Sequence, residues 1–164
     1  WVNTPAKHKM DLPSYQPLHA DETPVVISDD GLTKINIIAG AFKNVKGPIH
    51  TLSDVNTFTA TIKKGASYFF PFPVSHNAFI YLMDGQLNIN DNTLLDAKYV
   101  ASFEQDGEGF TLEALSDAHL FIGTGEPLNE PIASHGPFVM NNQTEIMEAF
   151  RDYQMGKMGV LIEE

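Results

Sequence analysis

Between Val25 and Gly125 the chain alternates apolar and polar residues with a period of two, in runs too short to be helices. In "TKINIIAGAF", Ile35, Ile37 and Ala39 face one way and Asn36 the other, while "NTFTATIKKG" puts Phe58, Ala60 and Ile62 on one face. The stretches "VVISDDG", "AFIYLMDGQLNIN", "TLLDAKYVASFEQDGEG", "FTLEAL" and "HLFIG" (ending in a strand over 118–123) continue in the same style. Turn signals separate them at Asp30-Gly31, Gly47-Pro48, Lys64-Gly65, Asp84-Gly85, Asp91-Asn92, Asp106-Gly107 and Ser116-Asp117. Short strands punctuated this often predict an all-β sandwich or barrel. Parallel βαβ units are not expected, because no helical pattern lies between the strands.

The period changes near the end. In "NNQTEIMEAFRDYQMGKMG", Ile146, Ala149, Phe150 and Tyr153 recur at helical spacing and predict one amphipathic helix. Asn142 followed by Glu145 reads as a capping box, and Gly156 as the stop. Two segments show no sustained period. Residues 1–24 are rich in Pro and polar side chains and read as an extended connector with a short piece of strand at Trp1-Val2-Asn3. "GEPLNEPIASHGPFVMNN" carries prolines that lack a ladder donor, so it is expected to be extended and neither helix nor central strand.

Composition narrows the function. A chain of 164 residues supports one well-buried domain with little left for a second. The net charge of -11 repels phosphate backbones, and no basic patch offsets it, so no direct nucleic-acid partner is expected. No apolar run is long enough for a membrane-spanning helix, so no membrane partner is expected either. The absence of cysteine excludes disulfides, thiolate metal sites and thiol catalysis, and fits a cytoplasmic protein. With no initiator Met and no signal pattern before Trp1, a fragment or processed product is expected.

Candidate chemistry is sparse. The six histidines are His8, His19, His50, His76, His119 and His135, and no two have the spacing of a local metal pair. Neither a Gly-x-Ser-x-Gly elbow nor a phosphate-binding loop occurs. Acidic residues are numerous and read as a solvated surface.

Several short motifs, taken in order, resemble the pirin family. They run from Trp1-Val2-Asn3, Pro5-Ala6-Lys7 and Lys9-Met10 through Ile38-Ala39-Gly40, Lys46-Gly47-Pro48, Gly65-Ala66-Ser67 and His76-Asn77-Ala78-Phe79. They end with Gly125-Glu126-Pro127-Leu128, Glu130-Pro131, "HGPFVMN" over 135–141, and Asp152-Tyr153. The resemblance covers essentially the whole chain. It implies an all-β cupin fold, an antiparallel jelly-roll-like β-barrel with a C-terminal helix, and places the chain over the C-terminal half of a two-domain protein. Residues 1–24 would then hold the last strand of a missing N-terminal cupin plus the connector. Residues 25–125 would form the C-terminal barrel, and 126–164 an inter-domain tie and the helix.

Family resemblance also implies a metal, but elsewhere. Pirins hold one iron through three His and one Glu in the N-terminal cupin, and act as quercetin 2,3-dioxygenases or as redox-responsive partners of transcription regulators. The cupin frame G-x5-H-x-H-x4-E-x6-G fits Gly65 and Gly85, with Pro71, Pro73 and Ala78 in the ligand slots. Counting into a second motif from Gly107 or Gly109 reaches Phe110 or Leu112. Prolines and aliphatics offer no ligand atoms. No catalytic residue, metal or cofactor is therefore expected in this chain, with iron implied for the missing half. His76 lies beside the Glu slot, and with His50 or His119 it is the one candidate for an opportunistic site.

Three readings follow. The chain is the non-catalytic half of a quercetin dioxygenase, or an interaction module acting as a transcription coregulator without touching DNA, or a metal-free cupin with an apolar pocket. Tyr68, Phe69, Phe70, Phe72, Phe79 and Tyr81 are the residues for such a pocket, against the simpler reading that they fill the core. Pro127, Glu130, His135, Phe138 and Met140 are the expected inter-domain contacts, with His135 structural. An apolar surface left by a missing domain implies self-association or a protein partner.

Overall fold

The computed structural model describes residues 1–159. It divides into two units, Leu18–Pro127 on one side and Trp1–Pro17 with Leu128–Glu164 on the other. The end of the segment 126–164, past Gly159, lies outside the described residues.

Leu18–Pro127 is built from short strands. They are β1 (Val25–Ile27), β2 (Thr33–Ala39), β3 (Ala41–Phe42), β4 (Val45–Lys46), β5 (Val55–Ile62), β6 (Ser67–Pro71) and β7 (Asn77–Asp84). After them come β8 (Gln86–Ile89), β9 (Thr93–Asp96), β10 (Val100–Phe103), β11 (Gly109–Ala114) and β12 (Ala118–Gly125). A six-stranded sheet runs β1-β2-β5-β12-β7-β10 and a four-stranded sheet runs β6-β11-β8-β9, with β3-β4 as a separate hairpin. The period-two pattern settles which side of each strand is buried. Ile35, Ile37, Phe58, Ala60, Ile62, Ile80, Leu82, Leu120 and Ile122 of the first sheet meet Phe70, Leu87, Ile89, Leu95, Phe110 and Leu112 of the second. Each large side chain buried there stabilises the fold by about 1.5–3 kcal/mol relative to exposure.

The sheets do not close into the expected barrel. Their hydrogen-bonded ladders stay separate. The edge strands β1, β10, β6 and β9 have only three to five residues and end before they can pair around a corner. What joins the layers is the chain path: from β5 to β12 every connection except β8–β9 changes sheet. The core between them is thick with rings, including Phe42 against Phe58 at 5.3 Å and Phe70 against Phe110 at 5.7 Å. The result is a jelly-roll-like sandwich.

The second unit contains a hairpin of β13 (Ala133–His135) and β14 (Phe138–Met140), then α1 (Gln143–Gln154). The segment expected to be merely extended therefore pairs with itself, turning at Gly136 with φ +55°. Its prolines fall outside the paired residues, which is why they do not prevent the ladder. Asn142 caps α1 by accepting from the Glu145 N–H, as expected, but the Glu145 carboxylate takes the N–H of Asn141 instead of closing the box on Asn142. Ile146 and Ala149 are buried, whereas Tyr153 is exposed. Trp1-Val2-Asn3, expected to end a strand, lie in irregular backbone and join no sheet among the described residues.

Candidate functional site

The cupin ligand slots lie at one end of the sandwich. Pro71 closes β6 opposite Gly109, Pro73 sits in the following turn, and Ala78 lies on β7 between Thr124 and Phe103. Only Ala78 faces the interior; Pro71 and Pro73 are exposed. Phe110 and Leu112, on β11, are buried in the core. None of these side chains carries a nitrogen, oxygen or sulfur atom, so the residues present do not fit a cupin metal. Beside Ala78 is a cavity of about 60 Å³ bounded also by Phe72, Phe103, Phe110 and His76.

His76 is a buried imidazole at this end, and the structure gives it partners that the sequence does not reveal. Its side chain is 2% exposed. Nδ1 is 3.1 Å from Thr124 Oγ1, and Nε2 is 3.8 Å from Asp54 Oδ2. Thr124 Oγ1 also accepts from Asn56 Nδ2 at 3.0 Å, and Asn56 Oδ1 accepts the N–H of Ala41 at 2.8 Å. The tight turn at Gly40 makes this possible: with φ +75°, a Cβ there would lie 2.2 Å from Asn56 Oδ1 and 2.4 Å from the Val55 carbonyl.

This network sets the partners on either side of the histidine ring. Thr124 is buried and its oxygen accepts from Asn56, and donation to the lone pair of His76 Nδ1 gives its own hydroxyl proton an acceptor. That arrangement leaves Nε2 as the nitrogen on the Asp54 side, 3.8 Å from Oδ2. Asp54 in turn lines an open cleft of about 360 Å³ together with Gly40, Lys46, His50 and Asn56. The order Thr–His–Asp superficially matches a nucleophilic triad. Here the hydroxyl is buried mid-sheet and engaged by Asn56, so no substrate carbon can reach it.

Of the two candidate partners for His76, His119 lies far from it. His119 pairs with Asp84 while Gly125, six residues along β12, pairs with Asn77 beside His76. That places His119 and His76 about 20 Å apart at roughly 3.3 Å per residue. His50 lines the cleft together with Asp54. Among the described residues no three His, Cys, Asp or Glu are grouped to hold a metal.

The aromatic pocket also divides. Tyr68 and Phe70 point inward on β6, and Phe72 packs at 4.8 Å on Phe110. Phe69, Phe79 and Tyr81 occupy the alternate, outward positions, with Phe79 and Phe121 rings 5.9 Å apart. Strand alternation prevents all six from lining one space.

The remaining candidates lie around the second unit, save Pro127, which ends the first. His135 and Phe138 rest edge-on against Phe150 of α1, at 5.1 and 4.9 Å. Met140 is buried. Glu130 Oε2 accepts the N–H of Ala6 at 2.8 Å and Nδ2 of Asn141 at 3.0 Å, joining three motif pieces far apart in sequence. Residues missed by sequence reasoning are Asp54, Asn56 and Thr124. No local signal marks them, since Thr124 is separated from His76 by 48 positions.

Comparison with known proteins now identifies the chain's kin. The family model for the pirin C-terminal cupin domain matches residues 57–159. A pirin-like protein of Solanum lycopersicum is 35% identical over 97% of this chain and 55% of its own length. Pirin of Homo sapiens is 31% identical over 97% of this chain and 56% of its own. A crystal structure of quercetin 2,3-dioxygenase from Acinetobacter baumannii superposes with a TM-score of 0.90 at 36% identity, covering 99% of this chain and 56% of that one. The chain thus spans about half the length of the curated relatives it matches. With its cupin strands, its inward Ala78 and a family match over most of its length, the chain belongs to the pirin family.

Proposed function

We propose that this chain is the metal-free C-terminal cupin half of a pirin-like protein, in which quercetin 2,3-dioxygenase chemistry rests on iron in a companion N-terminal cupin. In this reading the chain contributes structure and is non-catalytic alone. The observation that supports it is the chemistry of the ligand slots: Pro71, Pro73 and Ala78 stand where imidazoles and a carboxylate are needed. The cysteine-free composition fits a cytoplasmic location.

The test is to incubate the chain with ferrous iron, remove the excess, and measure metal per chain and oxygen uptake with quercetin. The Acinetobacter baumannii quercetin 2,3-dioxygenase serves as the positive control. Substoichiometric iron and no uptake are expected. One tightly held ion per chain, or turnover of quercetin, overturns the reading.

A second reading, a protein-interaction module, is favoured by exposed apolar side chains on the unit holding both termini: Trp1, Leu12, Ile132, Met147 and Met155. Such surface drives association with a cupin partner, a regulator or a second copy, and the -11 charge makes any effect on DNA indirect. Light scattering of the purified chain reads this directly. Association is expected, and a monodisperse monomer counts against it.

A further inference from the structure

The cavity beside Ala78 has a composition that selects a ligand class. Phe72, Phe103 and Phe110 form its apolar side: Phe103 stacks on Phe110 at 4.1 Å and 13°, and Phe72 meets Phe110 at 4.8 Å and 60°. Glu104 and Asp106 supply carboxylates, and no Lys or Arg is among the lining residues. The loops that carry these groups are braced, because Gln105 Nε2 donates to the Ser75 carbonyl at 2.9 Å.

Each property excludes something. Two carboxylates and a net charge of -11 disfavour an anion. A divalent metal lacks its ligands, since no three donors are grouped among the described residues. A volume of about 60 Å³ is far below a flavonol or other drug-sized ligand. It equals the space of roughly four waters, which suits a group of two or three heavy atoms. Aromatic rings and carboxylates together attract a cation that sheds water easily, as an alkylammonium does and a sodium ion does not.

We propose that this cavity is a binding site for a small alkylammonium group. The rings hold its methyl side and the carboxylates its charge. The site is independent of whether the parent protein oxidises quercetin.

Methylammonium chloride is the probe. Backbone amide spectra of the labelled chain are recorded against rising methylammonium, with sodium chloride at matched concentration as the second arm. Saturable shifts at Ala78, Gly107 and Gly109 are expected in the first arm only, with a dissociation constant in the millimolar range. The variant Phe72→Leu should bind about three- to fivefold more weakly through the lost ring. The double variant Glu104→Gln, Asp106→Asn should weaken binding by about fivefold and reduce its salt dependence. Shifts that rise linearly, that sodium reproduces, or that survive both variants unchanged overturn the site. Should Phe72→Leu fail to fold, the carboxylate variant, which alters only loop residues, decides alone.

Discussion

Replacing Thr124 by Val is the sharpest probe of the network around His76. The two side chains are nearly isosteric, so packing is kept and only the hydroxyl is removed. Two hydrogen bonds go with it, from Asn56 Nδ2 at 3.0 Å and to His76 Nδ1 at 3.1 Å. Asn56 is half-buried and recovers part of its loss from water. The His76 side chain, 2% exposed, does not. A buried polar atom left without a partner costs about 1–3 kcal/mol, and the apolar gain of Val offsets a few tenths. The net expectation is a destabilisation of about 2–3 kcal/mol, which lowers Tm by roughly 5–10 °C for a chain of this size. Urea unfolding at constant m-value measures it, with Thr124→Ser as a control that keeps the hydroxyl and costs about 1 kcal/mol or less. In parallel, nitrogen-15 shifts of His76 should report the Nε2–H tautomer in the parent chain. A Val variant within about 0.5 kcal/mol of the parent, or an Nδ1–H tautomer, would refute the hydrogen-bond assignment.

Three further outcomes are expected. Gly123 sits under the Phe79 ring, where a Cβ would lie 2.5 Å from Cε1, so Gly123→Ala should cost about 1 kcal/mol by displacing that ring from Phe121. In a Phe79→Ala background the same change should turn neutral or stabilising, and equal costs in both backgrounds would contradict the contact. The Asp117 carboxyl is held below its ordinary 3.8 by its hydrogen bond from Lys63, then by the Lys64 N–H. Its folded pKa being depressed, its stabilisation is present above the unfolded value and lost as pH falls through the lower folded one. The stability gap between the parent and Asp117→Asn should therefore be open at neutral pH and close below about pH 4; a gap unchanged across that window in acid titrations of Tm contradicts this. Glu130→Ala should free the Ala6 N–H, and cleavage within residues 1–17 should accelerate about tenfold if opening is eased by about 1.4 kcal/mol, as limited proteolysis will read.

The local grammar of the fold was legible in the chain. Inward positions such as Ile35, Ile37, Phe58 and Ala60 follow from alternation alone, and the turns at Gly31 and Gly85 do take positive φ. The helix cap at Asn142 was equally plain. Register was not legible. Nothing near His76 announces Thr124, because their meeting depends on how β12 aligns with β7 across the sheet. The hairpin over 133–140 was hidden for a related reason: its prolines argued against strands, yet they fall outside the three paired positions on each side.

By itself the sequence determined what each segment prefers: strands of period two, one capped helix, an acidic cysteine-free surface, and ligand slots filled by Pro71, Pro73 and Ala78. Only the tertiary structure decided that two sheets face each other without closing, that His76 lies between a hydroxyl and a carboxylate, and that three phenylalanines and two carboxylates share one cavity. The division has a physical cause. Steric and solvation preferences act between neighbours and are written in short windows, whereas pairing register and loop convergence balance contacts between residues far apart in the chain.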